Sequence, residues 1–252
     1  MDLQLNDKTI LVTGGSYGLG RSICEILAHE GARIGINYRR FPEKAKEVVR
    51  QIEAAGGKAV AVHGDVASEE DVARMFDELE AAFGPVYGLV NNAAYCAAPP
   101  TVELELDDFS QAIDVNLRGT FLCSRELLRR FETNGLAGRI VNISSQAAFR
   151  GSNTGKSAYD MTKMGIVGYT ISLARETAPQ GVCVNCVAPG LMYTEMVAAA
   201  VDADPEKFNS RVPLGRLGQT EEIAAVVAFL FSRQAGYMTG ATVDVSGGLA
   251  MH

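Results

Sequence analysis

The chain has 252 residues, of which 47% are hydrophobic and 21% charged, with five cysteines and a net charge of −7. This length permits one or two α/β domains, and the composition is that of a globular protein able to bury a core without disulfide bonds. The acidic balance argues against a nucleic-acid-coating surface, and an odd number of cysteines is typical of a reducing compartment.

The sequence predicts neither a targeting peptide nor a membrane span. Residues 1–8 are too polar for a signal peptide. The longest apolar run, residues 223–231, is far shorter than the roughly 18 residues that a membrane span needs. We therefore expect a soluble cytoplasmic protein that binds neither nucleic acid nor a membrane.

The metal-ligating residue types form no recognisable site. The three histidines, His29, His63 and His252, are far apart in the chain and match no ligand motif. Cys183 and Cys186 have CxxC spacing, but they lie on a predicted strand, where residues three apart point to opposite faces. We expect no bound metal and assign the two cysteines to packing.

Short apolar, β-branched runs alternate along the chain with longer segments of helical period. The strands are predicted at residues 9–12, 33–38, 59–63, 87–91, 139–143, 183–187 and 242–245. The helices are predicted at residues 19–30, 43–55, 69–83, 107–131, 159–178 and 220–231. This alternation, without a long linker, predicts one α/β domain over residues 1–252, a doubly wound parallel sheet of about seven strands covered by helices on both faces. The ligand of such a sheet lies beyond the carboxyl ends of its strands.

The first predicted strand runs into the glycine-rich turn Thr13-Gly14-Gly15-Ser16-Tyr17-Gly18-Leu19-Gly20 and then into a helix. Glycines let the backbone turn tightly and let a pyrophosphate come close. The free N–H groups at the start of the helix then face the anion. Because the spacing is Gly-x3-Gly-x-Gly rather than GxGxxG, a tight turn without a ligand stays an alternative.

The ends of the second and third predicted strands indicate which dinucleotide is bound. An NAD site offers a carboxylate to the ribose 2′-hydroxyl after the second strand, but this strand ends in Asn37-Tyr38-Arg39-Arg40. Arg39 offers a guanidinium suited to a 2′-phosphate, so we expect NADP(H) rather than NAD(H), against the alternative of a solvated basic pair. Asp65, which follows the third strand, either binds an adenine amino group or caps the next helix.

Tyr159 and Lys163 are four residues apart in a predicted helix, which places phenol and ammonium on one face. A nearby positive charge lowers a tyrosine pKa from about 10 toward working pH, as general acid/base catalysis requires. A solvated helix face is the alternative. Ser145 stands fourteen residues earlier, after a predicted strand, and we prefer it to Ser144 as a partner because it aligns better with the strand end.

These residues together resemble the short-chain dehydrogenase/reductase family over essentially the whole chain. The residues that carry the resemblance are the glycine turn, Asn91-Asn92-Ala93, Asn116, Ser145, Tyr159 with Lys163, and Pro189-Gly190…Thr194. Residues 213–248 look like 3-oxoacyl-carrier-protein reductases, whereas residues 37–39 and 124–126 look like members that oxidise sugars such as glucose. The resemblance implies a Rossmann-like fold and a ketoreductase that interconverts a carbonyl and a secondary alcohol by hydride transfer, with a sugar or polyol dehydrogenase as the alternative.

The resemblance also implies a role for each site residue. Tyr159 is the expected acid/base, and Ser145 polarises the substrate oxygen. Lys163 lowers the Tyr159 pKa and binds the nicotinamide ribose, while Asn116 holds a water in a proton relay behind it. The residues expected to contact the cofactor are Gly14, Ser16, Tyr17, Gly18, Leu19, Tyr38, Arg39, Asp65, Val66, Asn92, Ala93, Ala94, Tyr159, Lys163, Pro189, Gly190, Met192 and Thr194.

Two features depart from the family pattern. Ala94 replaces a usual glycine, so a methyl group must fit near the ribose, and one extra residue separates Ser145 from Tyr159. The substrate pocket, expected at residues 95–98, 146–156 and 193–211, shows no single charged anchor, so a β-ketoacyl thioester and a polyol both fit.

The same resemblance leaves two further functions as alternatives and implies an oligomeric assembly. A non-catalytic dinucleotide-binding regulator, or an enzyme of dehydration or epimerisation, is the remaining alternative, although the intact Ser145, Tyr159 and Lys163 favour neither. Family members usually pair through the long helices predicted at residues 107–131 and 159–178, which carry apolar residues beyond what one sheet contact needs. We therefore expect a homotetramer or homodimer.

Overall fold

The computed structural model describes residues 2–153, 155–195 and 197–251. Seven strands within these residues form one parallel sheet in the order β3-β2-β1-β4-β5-β6-β7. The strands are β1 (Thr9–Val12), β2 (Arg33–Tyr38), β3 (Lys58–His63), β4 (Val86–Asn91), β5 (Arg139–Ile143), β6 (Cys183–Pro189) and β7 (Thr242–Val245).

Helices connect successive strands, as parallel pairing requires. The α-helices are α1 (Gly18–His29), α2 (Pro42–Ala54), α3 (Glu69–Phe83), α4 (Leu106–Ala112), α5 (Gly119–Asn134), α6 (Ala147–Arg150), α7 (Ser157–Thr177), α8 (Ala198–Ala203), α9 (Pro205–Asn209) and α10 (Thr220–Phe231). A π-helical turn, Ile113–Arg118, joins α4 to α5. Short 3₁₀ turns occupy Thr101–Glu103, Ala178–Gln180 and Arg233–Ala235.

Two buried hydrophobic layers hold the helices to the two faces of the sheet. On β1 the side chains alternate, so Ile10 and Val12 pack with α1, α2 and α10, while Leu11 packs with α3, α5 and α7. All four residues of β1 are buried. These layers confirm the predicted single, doubly wound α/β architecture.

The strand order reverses direction between β1 and β4. Strands β2 and β3 lie on one side of this pair, and β5, β6 and β7 lie on the other. The connections therefore leave the two central strands in opposite directions and open a crevice at their carboxyl ends, where ligands bind in such sheets. Most of the residues of interest in the sequence lie at the carboxyl ends of strands or near the start of the next helix, and Asn116 lies in the π-helical turn.

The predicted elements agree with the structure to within a few residues, with one exception. The helix predicted at residues 107–131 is divided by the π-helical turn, whose extra residue per turn no apolar period reveals. The short helices α6, α8 and α9 lie in segments for which no element was predicted. No helix in the described part of the chain is both long and apolar enough to cross a membrane.

Candidate active site

The turn between β1 and α1 is built on two glycines in left-handed backbone conformations, Gly14 (φ 61°) and Gly18 (φ 55°). Gly20 is required for a different reason, since a Cβ there would lie 2.1 Å from the Gly14 carbonyl oxygen. The turn is thus compressed onto the first turn of α1. This close packing brings the start of the helix up to the sheet edge.

The start of α1 is left open to an anion. Tyr17, the residue before the helix, makes no side-chain hydrogen bond to its first N–H groups. A Cβ on Gly18 would meet no atom within 4 Å, so the backbone there faces open space. Unpaired N–H groups beside open space fit the pyrophosphate of a dinucleotide. The observed turn therefore fits the dinucleotide cofactor that the family resemblance implies.

The cleft beside this turn has a volume of about 190 Å³ and is open to solvent. Its walls come from the ends of β1, β2, β3 and β4 and from the helix that contains the π turn. The lining residues are Gly14, Ser16, Tyr17, Asn37, Tyr38, Arg39, Arg40, Phe41, Gly64, Asp65, Val66, Ala93, Ala94, Tyr95, Gln111 and Val115. Nine of the residues expected to contact the cofactor are therefore brought together in one groove, and the Ala94 methyl group is accommodated in its wall.

Asn92, predicted as a cofactor contact, makes its side-chain hydrogen bonds to the glycine turn. Its side-chain amide donates to the carbonyl oxygens of Thr13 (3.0 Å) and Gly14 (3.1 Å). The Thr13 hydroxyl in turn accepts from the N–H groups of Asn92 (2.9 Å) and Ala93 (3.0 Å). Asn92 thereby ties the end of β4 to the glycine turn. It supports the cofactor cleft from behind and is not among the residues that line it.

Asn37 is a residue of the cleft that sequence reasoning missed. It is buried at the end of β2, and its amide oxygen accepts from the Gly14 N–H at 3.2 Å while its amide nitrogen donates to the Gly64 carbonyl oxygen at 3.0 Å. One side chain therefore links the ends of β1, β2 and β3. An asparagine inside an apolar strand was the available signal, because a buried amide needs hydrogen-bond partners.

Arg39 and Asp65 face each other at the far end of the cleft, with Arg39 Nε 3.1 Å from Asp65 Oδ2. The cap of α3 is Ser68, whose hydroxyl accepts from the Asp71 N–H at 3.3 Å. The suggestion that Asp65 caps this helix is therefore wrong. The sequence predicts Arg39 and Asp65 as two separate cofactor contacts. The pairing of β2 with β3 in the sheet brings them together.

At the opposite end of the groove, α7 begins beside the end of β5 and brings Tyr159 to Ser145. A hydrogen bond between the two hydroxyl groups acts to lower the Tyr159 pKa. The Lys163 ammonium lies 5.4 Å from the centre of the Tyr159 ring. Ser144 is buried and donates to the backbone carbonyl oxygen of Lys163 at 2.7 Å. Ser145 is therefore the serine that interacts with Tyr159, whereas Ser144 joins the end of β5 to α7.

The pKa of Tyr159 differs from the predicted direction. Burial, with a smaller contribution from the nearby Cys96 thiol, raises it from 10.0 to about 12. Burial also lowers the Lys163 pKa from 10.5 to about 8. The Lys163 ammonium donates to the Ile143 carbonyl oxygen at 2.7 Å. The prediction that the Tyr159 pKa is lowered overall is therefore wrong for this structure, because the effect of desolvation is the largest.

Asn116 lies in the π-helical turn, fully buried. Its amide oxygen accepts from the Tyr95 N–H at 2.7 Å, and its amide nitrogen donates to the Tyr95 carbonyl oxygen (2.9 Å) and to the Thr162 hydroxyl (2.9 Å). Asn116 therefore clamps the loop after β4 to α7. In this arrangement the amide oxygen and the amide nitrogen of Asn116 both bond to protein groups. A water molecule of the predicted proton relay would have to bind to neighbouring groups instead of this side chain.

The segment after β6 forms the remaining wall. Gly190 packs so tightly that a Cβ would lie 2.6 Å from the Ser246 backbone, and the Pro189 carbonyl oxygen accepts from the Gln146 N–H at 2.9 Å. Met192 forms a bridge to Gly218, and Thr194 accepts backbone bonds from Val197 and Ala198. These residues stand beside the end of β5, on the side of Ser145. Thr154 and Met196, which fall in the predicted substrate segments, lie outside the described residues.

Comparison with known proteins places this geometry in a family. A family model described as Enoyl-(Acyl carrier protein) reductase matches residues 14–250. The chain is 40% identical over 248 residues to the 3-oxoacyl-[acyl-carrier-protein] reductase FabG of Staphylococcus aureus (strain N315), covering 97% of this chain and 98% of that protein. The chain belongs to the short-chain dehydrogenase/reductase family.

Solved structures of this family agree over the whole chain. A short-chain dehydrogenase from Burkholderia cenocepacia J2315 in complex with NADP has a TM-score of 0.90 and 36% identity, covering 98% of this chain and 99% of that one. A putative gluconate dehydrogenase from Agrobacterium tumefaciens has a TM-score of 0.92 and 35% identity, covering 99% and 98%. The family resemblance and the Rossmann-like fold predicted from the sequence are confirmed.

Membership in this family makes the protein an NAD(P)-dependent oxidoreductase that acts on carbonyl and CH–OH groups. Its curated relatives favour a ketoreductase of the short-chain type over a sugar or polyol dehydrogenase. The retained Ser145, Tyr159 and Lys163 agree with an active enzyme, since a dinucleotide-binding regulator has no need of a hydrogen-bonded hydroxyl pair beside a buried ammonium.

Proposed function

We propose that the protein is an NADP(H)-dependent ketoreductase that reduces a 3-oxoacyl thioester of the carrier-protein type to the corresponding 3-hydroxy compound. The observation that carries the proposal is the group formed by Ser145, Tyr159 and buried Lys163, in which Ser145 acts to lower the Tyr159 pKa and the Lys163 ammonium lies 5.4 Å from the Tyr159 ring, at the end of a groove that begins at the open start of α1. The carrier-protein reductases to which the chain is 40% identical over nearly its full length support the same substrate class.

Each of the three residues Ser145, Tyr159 and Lys163 has a separate role in the reduction of the carbonyl. The nicotinamide, when bound, supplies the hydride to the carbonyl carbon, and negative charge grows on the substrate oxygen. The hydroxyl groups of Ser145 and Tyr159 donate hydrogen bonds to that oxygen, where preorganised donors are most effective. Tyr159 then transfers its proton to the oxygen. The Lys163 ammonium, 5.4 Å from the phenol ring, stabilises the resulting phenolate.

Proton transfer to the substrate requires a tyrosine that is protonated before the reaction. A Tyr159 pKa of about 12 keeps the phenol fully protonated at neutral pH. In the reductive direction this is the required starting state, because the group acts as an acid. The raised pKa therefore suits reduction, and oxidation of an alcohol would first require stronger stabilisation of the phenolate.

The choice of NADP(H) is supported at the far end of the groove. Arg39 and Arg40 line the cleft beyond Tyr38, and both carry guanidinium groups suited to a 2′-phosphate. The Burkholderia neighbour is a complex with NADP.

An acyl chain fits the substrate side better than a polyol does. Residues 96–100, Cys-Ala-Ala-Pro-Pro, offer no charged or hydroxyl side chain. Cys96 lies close enough to influence the pKa of both Tyr159 and Lys163. A Cβ on Gly155 would lie 2.5 Å from the Ala98 carbonyl oxygen, so this segment packs against the loop that precedes α7. A polyol needs several hydrogen-bond partners, whereas an acyl chain needs an apolar wall.

A comparison of substrates tests the proposed activity. Purified protein is given NADPH with a 3-oxoacyl thioester, and separately NADP⁺ or NAD⁺ with glucose or gluconate, and absorbance of the reduced nicotinamide is followed. We expect kcat/KM for the thioester to exceed that for either sugar substrate. Faster turnover of a sugar than of the thioester would instead support the polyol alternative.

We also propose that the protein works as a homodimer or homotetramer, paired through α5 and α7. Apolar side chains remain exposed on both helices, among them Phe121 on α5 and Met161, Met164 and Ile171 on α7. Large apolar side chains left exposed on two helices support an interface there. Light scattering is expected to give a particle of at least twice 26.9 kDa at micromolar concentration; a 26.9 kDa particle would contradict the assembly.

A further inference from the structure

The structure brings a carboxylate to the place where the end of β2 offers none. Arg39 follows β2 and Asp65 follows β3, and parallel pairing of these two strands places their carboxyl ends side by side. Arg39 Nε then lies 3.1 Å from Asp65 Oδ2, and both residues line the cofactor cleft. The cation expected to bind a 2′-phosphate thus already has an anionic partner.

The Asp65 carboxylate is fixed where it stands. Its second oxygen, Oδ1, accepts from the Ala67 N–H at 3.0 Å. The Asp65 backbone N–H donates to Asp71 Oδ2 at 2.8 Å, and Asp71 is itself paired with Arg74 at 2.6 Å. Asp65 is therefore held at both its backbone and its side chain, so it cannot swing away from Arg39 when an anion approaches.

A fixed anion beside Arg39 weakens the interaction that its guanidinium can make with a second anion. The side chains of Arg39 and Asp65 are 44% and 28% exposed, so the pair is partly screened by water. A 2′-phosphate has to share the guanidinium with this carboxylate. Asp65 therefore lowers the advantage that the phosphorylated dinucleotide has over the unphosphorylated one.

We propose that Asp65 is a specificity-determining residue, which moderates the preference for NADP(H) by competing with the 2′-phosphate for Arg39. This inference rests on the proposed role of Arg39 in binding that phosphate. It differs from the expectation drawn from the sequence, in which Asp65 binds adenine and the absence of a carboxylate after β2 leaves Arg39 unopposed. The site is consequently one that takes NADP(H) first and still accepts NAD(H).

The test uses fragments of the cofactor and needs no turnover. The dissociation constants of adenosine 2′,5′-bisphosphate and of AMP are measured by calorimetry for wild type, Asp65→Asn, Arg39→Ala and the double variant. The quantity compared is the ratio of the AMP constant to the bisphosphate constant. Asparagine keeps an oxygen for the Ala67 N–H, and Asp65→Ala is measured as a second variant in case the amide disturbs the turn.

We expect Asp65→Asn to raise this ratio about two- to fivefold, the range of a partly exposed ion pair, and to leave it unchanged when Arg39 is already alanine. A rise of the same size in the Arg39→Ala background would mean that the carboxylate simply repels the phosphate, which overturns competition for Arg39. An unchanged ratio would also overturn the proposed competition. A lower ratio would overturn it by showing that Asp65 orients Arg39 for the phosphate.

Asp108→Asn is the matched control. Asp108 accepts a hydrogen bond from the hydroxyl of Tyr95, which lines the same cleft, and its substitution removes the same unit of charge without touching Arg39. We expect no change in the ratio. The wild-type ratio separates the two proposals, because a value near one contradicts the proposed NADP(H) preference, whereas only the response to Asp65→Asn tests the competition.

Discussion

The two ends of the cofactor groove are built in different ways. At the adenosine end, the glycine turn follows β1, Asn37 lies in β2 and Arg39 follows it. Amide hydrogen bonds link the turn and Asn37 to neighbouring strands, and an ion pair links Arg39 to Asp65. At the substrate end, residues 191–195 and 197–217 form loops and the short helices α8 and α9. The sheet thus fixes what all members of the family bind, and the loops after it can vary with the substrate. Four substitutions measure how independent the two ends are.

The largest effect is expected at Tyr159, at the end of the groove opposite Arg39. Tyr159→Phe keeps the ring and removes the proton, so kcat should fall by at least the roughly 10²–10⁴-fold typical of a general acid, while the dissociation constant for NADPH stays near its wild-type value. Steady-state kinetics and nicotinamide fluorescence measure the two quantities.

The control for this substitution is Tyr237→Phe, since Tyr237 is fully exposed and should give wild-type values of both. A folded Tyr159→Phe protein that retains cofactor affinity and works within a factor of a few of wild type would show that the tyrosine only occupies a helix face.

Lys163 should couple stability to pH. Its folded pKa of about 8 lies below the ordinary 10.5 because burial disfavours the charged form. Between these values the unfolded chain binds more protons than the folded one, so this group makes the protein more stable as pH rises through that window. Relative to Lys163→Met, the wild-type free energy of unfolding should increase by about 3 kcal/mol between pH 7 and pH 11.

Denaturant titrations at several pH values measure this difference, and subtraction of the Lys163→Met curve removes the titration of all other groups. A difference that stays flat, or that falls as pH rises, would show that Lys163 has an ordinary pKa in the folded protein.

Arg39→Ala tests the adenosine end alone. A lost charge-assisted contact of about 1.5–3 kcal/mol corresponds to roughly a 10- to 150-fold drop in kcat/KM with NADPH. With NADH the change should be small, because the 2′-phosphate is absent. Arg40→Ala is the comparison, as Arg40 lines the same cleft. A larger loss from Arg40→Ala than from Arg39→Ala would assign the phosphate to Arg40.

The smallest effect is expected in the loops of the substrate end. The Tyr193 hydroxyl donates to the Asp202 carboxylate at 3.1 Å and so joins the segment after β6 to α8. Tyr193→Phe should change kcat/KM between short and long 3-oxoacyl thioesters by about two- to tenfold, as one modest hydrogen bond allows, and leave NADPH affinity unchanged. A loss of NADPH affinity equal to the loss of kcat/KM would show that the two ends are not independent.

The sequence by itself determined the strands, most helices and the order in which the chemical groups occur, because apolar period and glycine spacing are local properties. Tyr159 and Lys163 were readable as a pair since both lie on one helix, four residues apart. Membership of the family followed from motifs distributed over the whole chain and was confirmed by its relatives.

Only the tertiary structure decided which groups oppose or support one another. Arg39 meets Asp65 because β2 pairs with β3, and Asn116 clamps Tyr95 because the chain has a π-helical turn between α4 and α5. The pKa of Tyr159 rises to about 12 because the effect of burial is larger than the opposing effect of Ser145. Ion pairs between strands and desolvation depend on residues far apart in the chain, and no local pattern carries their distances.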